Sequence, residues 1–320
     1  MRALVMTDFG TPATVTDMPT PSVTRPDEVL VKVQAATLSR WDLLVLDGQM
    51  TEHLEHIFPI TLGHDFAGVV VETGAEVTGF TPGDAVIGLF EVSHLHEGAI
   101  AEYVVLSTAR HLAHRPGTLP PAEAATLPLA GLAAVGAVDA VAVRAGDRVL
   151  VVGATGGIGG YAVQLAASQG AHVIATGLPE DEPYLRNLGA AEILDYRTDL
   201  TLALSDRYPD GIDSLIDAVT QDPTVFAALT RHVRGGGRVA STVMVADSAD
   251  LATRGIDTVN VMADLAPHGT LDRLAALAAE GTLRAPALEI FNLTDAPKAI
   301  DAMRDNHVRG KYVIRVHGTS

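Results

Sequence analysis

The run Val149-Leu150-Val151-Val152-Gly153-Ala154-Thr155-Gly156-Gly157-Ile158-Gly159 limits what this chain can fold into more than any other stretch. Four consecutive apolar residues, three of them β-branched, read as a strand buried on both faces. A glycine-rich turn follows at once, and Gly157–Gly170 then reads as a helix. That order suits a pyrophosphate. The turn is tight, the backbone can come close, and the helix N-terminus offers free N–H groups and partial positive charge. Strand, turn, helix and the next strand, Ala171–Ala175, arrive at the spacing of a dinucleotide-binding unit. The pattern predicts a cofactor site at Ala154, Thr155, Gly156, Gly157 and Ile158.

The rhythm continues beyond it. Glu192–Leu194, Ile212–Ala218 and Arg238–Ser241 read as strands, and Pro183–Leu188 and Pro223–Val233 as helices. Strands alternating with helices predict a doubly wound parallel sheet in an α/β domain. The first ~120 residues carry another punctuation, with strands Glu28–Val33, His64–Glu72, Ala85–Phe90 and Ala101–Leu106 set between turns. After Pro120-Pro121 comes an alanine-rich helix, Ala122–Ala142. Helices Leu271–Ala279 and Ala296–Arg304 and a last strand, Lys311–Val316, close the chain. The division predicted is 122–266 for the Rossmann domain, with 1–121 and 267–320 forming a β-rich domain.

Composition narrows the function. The chain has no cysteine, which removes disulfides, thiolate nucleophiles, iron–sulfur clusters and cysteine-ligated zinc. Its 39 acidic against 22 basic residues give a net charge of −17, a field that repels a phosphate backbone, so no nucleic-acid partner is expected. No apolar run reaches the ~18–20 residues that a spanning helix needs, and no membrane partner is expected. The opening Met1-Arg2-Ala3-Leu4-Val5-Met6 reads as a first strand rather than a secretory leader, and a cytoplasmic location is the expectation.

Ala154 stands where the usual glycine fingerprint has its first glycine, and this form of the turn resembles the zeta-crystallin-like quinone oxidoreductase branch of the medium-chain dehydrogenase/reductase superfamily. Several blocks carry the resemblance: Pro59-Ile-Thr-Leu-Gly-His-Asp-Phe-Ala-Gly through Thr81-Pro-Gly-Asp-Ala-Val-Ile-Gly88, Gly98–Leu106, Ala124–Leu132 and Gly310-Lys311-Tyr312-Val313. It implies a GroES-like catalytic domain made of both ends of the chain, a Rossmann domain between them in sequence, and a cofactor in the cleft between the domains. It also implies a small-molecule carbonyl, quinone, enone or enoyl substrate, and a homodimer or homotetramer.

The resemblance carries site residues with it. Zinc members of the superfamily use a Cys, a His-Glu pair and a second Cys; here those places hold Ser39, His64-Asp65 and Leu129, so zinc-free chemistry is implied. The branch's Asn-x-x-Asp segment appears as Ser39-Arg40-Trp41-Asp42, which makes Ser39, Trp41 and Asp42 the implied catalytic residues. Thr242, Val243 and Met244 correspond to the strand end along the nicotinamide ribose, with Val261-Met262 lining the cleft. Asn306 and Lys311 correspond to a tail that closes on the cofactor phosphates. Ser39 for asparagine, and Ala133 where the branch often has threonine, leave a second reading open: a repurposed or non-catalytic cofactor-binding member.

The choice of nicotinamide cofactor turns on the second Rossmann strand. It ends Ala175-Thr176-Gly177-Leu178, with no acid at its tip to hold both ribose hydroxyls of NAD. Thr176 and Gly177, with Arg186 reaching back from the next helix, fit the 2′-phosphate of NADP. Glu180, Asp181 and Glu182 argue the other way. NADP(H) is favoured over NAD(H). His53, His56, His94 and His96 read as loop histidines, with a metal site there as the lesser alternative.

Overall fold

Six strands form one parallel sheet in the order Glu192–Asp195, His172–Gly177, Arg148–Val152, Ile212–Asp217, Val233–Ser241, Asp257–Asn260. Numbered along this segment the order is 3-2-1-4-5-6, the doubly wound arrangement. The computed structural model describes residues 1–90, 94–305 and 309–317. Contacts divide the chain into two units, Ala130–Ala266 and Met1–Leu129 with Pro267–Ser320.

In the first of these the sheet's inner strands bury apolar residues at their centres, and Leu150, Ile174, Leu215 and Val239 sit at or near zero exposure in its core. The helices Gly157–Ser168, Glu182–Asn187, Leu200–Arg207, Pro223–Thr230 and Ser248–Thr253 connect the strands. Three of these helices begin on an aspartate that caps the first turn, Asp199, Asp222 and Asp247.

The other unit is antiparallel for the most part. Glu28–Leu38 is its long central strand, flanked along one edge by Asp65–Thr73 and along the other by Tyr103–Ser107 over its first half and the C-terminal Lys311–Arg315 over its second. Tyr312 lies opposite Leu38 and Ile314 opposite Ala36, so the two ends of the chain share a sheet. Phe66, Val31, Leu38, Ile60, Ile100 and Ile314 fill its core.

Several elements differ from the sequence reading. The helix expected over Ala122–Ala142 is two helices, Pro121–Ala124 and Pro128–Ala140, because Pro128 lacks an N–H and starts a new helix instead of continuing the old one. The fifth Rossmann strand begins at Val233, not Arg238, and takes in Gly235, Gly236 and Gly237. The sixth ends at Asn260, before Val261. Helix Arg40–Leu46 and strand Leu288–Asn292 were not anticipated. Among the described residues, no helix is long and apolar enough to cross a membrane.

Candidate functional site

The strand Arg148–Val152 delivers the chain into Gly153, whose φ of +79° is left-handed backbone that favours glycine. The helix begins at Gly157 with Gly156 as its N-cap and no side chain capping it. The two later glycines serve different ends. A Cβ at Gly159 would run into the Gly153 carbonyl oxygen and lie 2.7 Å from the Ala154 Cα, so Gly159 lets helix and strand touch. A Cβ at Gly156 would meet only the Gly153 oxygen, at an ordinary 3.5 Å. Packing leaves the space over Gly156 open, as close approach of a pyrophosphate requires. Gly156, Gly157 and Ile158 are half-buried and present that backbone; Ala154 and Thr155 are buried, which narrows their part to shaping the turn.

Thr176 is buried, and its Oγ1 accepts a hydrogen bond from Gly153 N–H at 3.1 Å, tying the second strand to the turn. Arg186 lies elsewhere than expected. Its Nε donates to Glu182 at 2.7 Å and its Nη1 to the Ala191 carbonyl at 3.1 Å. Ala191 in turn donates to Val173 O. The guanidinium is therefore held beside the amino ends of the strands, three residues or ~10 Å short of Thr176 at strand rise. Both groups on which the expectation of NADP(H) rested have other partners.

At the carboxyl edge of the sheet, the region where open α/β sheets take ligands, Thr242 N–H donates to Asp217 O at 2.9 Å and Val243 N–H to Ser241 Oγ at 3.3 Å. The Thr242 hydroxyl has no partner. Met244 carries a φ of +62° and is 57% exposed, strained backbone for a residue with a side chain. Asp217, which the sequence reading passed over, ends the fourth strand fully buried. Its Oδ1 accepts from Val219 and Thr220 N–H at 2.9 Å each, whereas Oδ2 has no partner. Burial pushes its carboxyl above the usual range. An aspartate following Leu215-Ile216 at the end of a central strand was the signal available.

In the other unit, Ser39 N-caps the helix Arg40–Leu46, and its N–H and Oγ both donate to Asp42 Oδ2, at 2.8 and 2.9 Å. Asp42 Oδ1 accepts from Gly63 N–H at 2.7 Å, and the carboxylate is 1% exposed. It clasps the helix start to the Gly63 turn, so its part is positioning rather than contact with a substrate. Trp41 is half-buried, edge-on to His64 with ring centroids 5.8 Å apart. His64 Nδ1 lies 3.9 Å from Asp42 Oδ1, and neither it nor Trp41 Nε1 has a hydrogen-bond partner. Burial holds the His64 pKa below its ordinary value, outweighing Asp42 and Asp65, so the ring is neutral at pH 7.

Asp65 accepts from Thr37 Oγ1 at 2.6 Å, Leu129 N–H at 2.5 Å and Lys311 Nζ at 2.5 Å. The Lys311 and Asp65 side chains are 6% and 0% exposed. Lys311 is thus a buried counter-ion, not a free hand for a phosphate; Asn306 lies outside the described residues. This arrangement does not fit a tetrahedral zinc: His64 has no cysteine beside it, and both neighbouring carboxylates are taken. His56 Nδ1 and His96 Nδ1 sit on the carbonyls of Leu54 and Ile57. Among the described residues no three His, Cys, Asp or Glu side chains gather as metal ligands.

Residues 25–121 match the alcohol dehydrogenase GroES-like domain family, and residues 188–314 the zinc-binding dehydrogenase family. The chain is 35% identical over 230 residues to a chloroplast envelope quinone oxidoreductase homolog of Arabidopsis thaliana, covering 69% of this chain and 67% of that one. It is 32% identical to a chloroplastic quinone oxidoreductase of Triphysaria versicolor, over 93% and 92% of the two chains. The solved quinone oxidoreductase of Coxiella burnetii superposes with a TM-score of 0.85 at 30% identity, covering 99% of each chain.

Proposed function

Since this chain belongs to the quinone oxidoreductase branch of the medium-chain dehydrogenase/reductase superfamily, we propose that it is a zinc-independent oxidoreductase that reduces a quinone, enone or enoyl-type small molecule with a nicotinamide dinucleotide. One observation carries the reading: an uncapped helix N-terminus behind a glycine, Gly156, over which packing leaves room. The half-buried N–H groups of Gly157 and Ile158 point the helix's partial positive charge at a pyrophosphate. Such a dinucleotide, held at the Gly156–Ile158 backbone, would supply a hydride when bound, and the second hydrogen would come as a proton from solvent.

This chain's residues then do three things. Thr176 pins the glycine turn to the second strand through Gly153 N–H. Thr242, Val243 and Met244, at the carboxyl edge of the sheet, border the nicotinamide ribose. The Ser39–Asp42 clasp fixes Trp41 as an apolar wall. No step passes through a metal. We also propose that the chain acts in the cytoplasm as a homodimer or homotetramer, which light scattering on the purified chain decides.

A second reading has a specific observation behind it. The Ser39 hydroxyl is committed to Asp42, so it has no proton left to donate to a carbonyl oxygen. A chain that binds the dinucleotide without turning it over fits that fact. Oxidation of NADH and NADPH against a panel of quinones and enones decides between the two. Turnover with any acceptor, unchanged by a chelator, supports the reductase. Cofactor binding with no oxidation against the whole panel sinks it and supports the non-catalytic reading.

A further inference from the structure

The tip of the second Rossmann strand is crowded by carboxylates. Gly177 pairs in register with Asp195 at the end of the third strand. A Cβ on Gly177 would meet Leu185 Cδ1 and lie 3.4 Å from the Asp181 Cβ and 3.5 Å from the Thr155 Cγ2, so Asp181 and Thr155 both flank the strand tip. Asp181 is fully buried, and its Oδ2 accepts from Leu178 N–H at 2.9 Å, which fixes the carboxylate there. Glu180 precedes it and is exposed.

The guanidinium that follows the third strand is already paired. Arg197 donates to Asp195 twice, Nε to Oδ1 at 3.1 Å and Nη2 to Oδ2 at 2.9 Å, a paired contact that fills the fork a phosphate would need. Arg186 is held at the far end of the strands by Glu182 and the Ala191 carbonyl. The hydroxyl of Thr176 is turned to Gly153 N–H. The neighbouring Tyr196 reports the local field. Its hydroxyl is held above its ordinary pKa first by burial and next by Asp181, with Asp195 and Glu180 adding to the rise and Arg197 opposing it.

A ribose 2′-hydroxyl placed here meets no penalty. A 2′-phosphate, with close to two negative charges, meets Asp181 and Glu180 with no free cation among the described residues named above. We propose that this chain prefers NAD(H) to NADP(H), and that Asp181, Glu180 and the Asp195 hold on Arg197 exclude the 2′-phosphate. The discrimination works by repulsion rather than by a carboxylate gripping both ribose hydroxyls, since Asp181 is sealed from solvent. The inference rests on the nicotinamide reading of the glycine turn and reverses the preference that Thr176 and Arg186 suggest in the sequence.

Equilibrium titration of the full chain with NADH and with NADPH, followed by the fluorescence of the reduced nicotinamide, tests it. NADH should bind at least about tenfold more tightly, the equivalent of one partly screened charge contact. Asp195→Asn releases Arg197, Glu180→Gln removes an exposed charge, and Asp181→Asn keeps an acceptor for Leu178 N–H while losing its charge. Each should narrow the gap by strengthening NADPH, with NADH affinity little changed. NADPH binding as tightly as NADH, or a gap that all three variants leave intact, overturns the inference and leaves the nicotinamide reading standing. Failure of both nucleotides to bind overturns both.

Discussion

The glycine turn of the parallel unit and the Ser39–His64–Lys311 region of the other unit handle polar groups in opposite ways. In the turn, backbone N–H groups are left half-buried and uncapped, and the space over Gly156 is kept free of side chains. Around Asp42 and Asp65, by contrast, the carboxylates and their donors are spent inside the protein, with His64 Nδ1 and Trp41 Nε1 left over: Ser39 is held on Asp42, Asp42 on Gly63, and Asp65 on Thr37, Leu129 and Lys311. An open polar group is a ligand site in waiting. A satisfied one is architecture. The difference separates residues whose loss should abolish binding from residues whose loss should unfold the chain.

Lys311→Met gives the largest expected effect. It strands a buried Asp65 carboxylate and should cost about 3–5 kcal/mol in urea unfolding. Asp65→Asn placed with it should recover part of that loss, because no buried charge is then left alone. If Lys311→Met instead unfolds like the parent and loses cofactor, Lys311 belongs with the open groups and the contrast between the regions fails.

Gly156→Val comes next. Its backbone, at φ −81° and ψ −179°, accepts a branched residue, and its Cβ meets nothing closer than 3.5 Å. Stability should be unchanged, while nucleotide affinity falls by roughly a hundredfold as phosphate–backbone hydrogen bonds are lost. Unaltered binding would move the cofactor away from this turn. Gly159→Ala sharpens the same point from the other side. Its methyl runs into the Gly153 carbonyl, so it should destabilise by about 1–3 kcal/mol, the range of overpacked sites.

The smallest effect belongs to Asp217, an acid left half-satisfied in the parallel unit. Burial raises its folded pKa, so the folded chain keeps a proton that the unfolded chain releases as pH climbs through the ordinary carboxylate range. Its favourable share of stability is present below the unfolded pKa and is lost as pH rises towards the folded one. Asp217→Asn retains an acceptor for Val219 and Thr220 and removes the titration. Its urea midpoint should therefore hold steadier than that of the parent from about pH 4 to pH 7, and lie slightly above it at neutral pH. A difference between the two midpoints that stays the same at every pH would mean the carboxyl is not held up by burial.

Much of the fold was written in local patterns. The run from Val149 to Gly159 specified strand, turn and helix because each residue's preference agreed with its neighbours', and the strand boundaries Arg148–Val152 follow from apolar residues bounded by a charge and a glycine. Helix Arg40–Leu46 escaped because seven residues carry too little periodicity, and its start depends on Ser39 meeting Asp42, a capping pair easily read as chemistry. Strand Leu288–Asn292 escaped because it exists only beside Lys311–Arg315. A strand's partner is a long-range fact.

The amino-acid sequence by itself determined the class of fold, the glycine turn between strand and helix and the absence of any cysteine chemistry, since each depends on residue type and spacing alone. Tertiary structure decided which charged groups are free. Arg186 and Lys311 have the right chemistry for a phosphate, yet Glu182 and Ala191 hold the one and Asp65 the other, through partners that only folding brings within 3.1 Å. Asp181 stands only a few residues past the strand tip, but the chain had to turn through Pro179 to bury it beside Gly177 with its carboxylate on Leu178 N–H. Coulomb interactions and hydrogen bonds act over a few ångströms in space, whatever the distance along the chain.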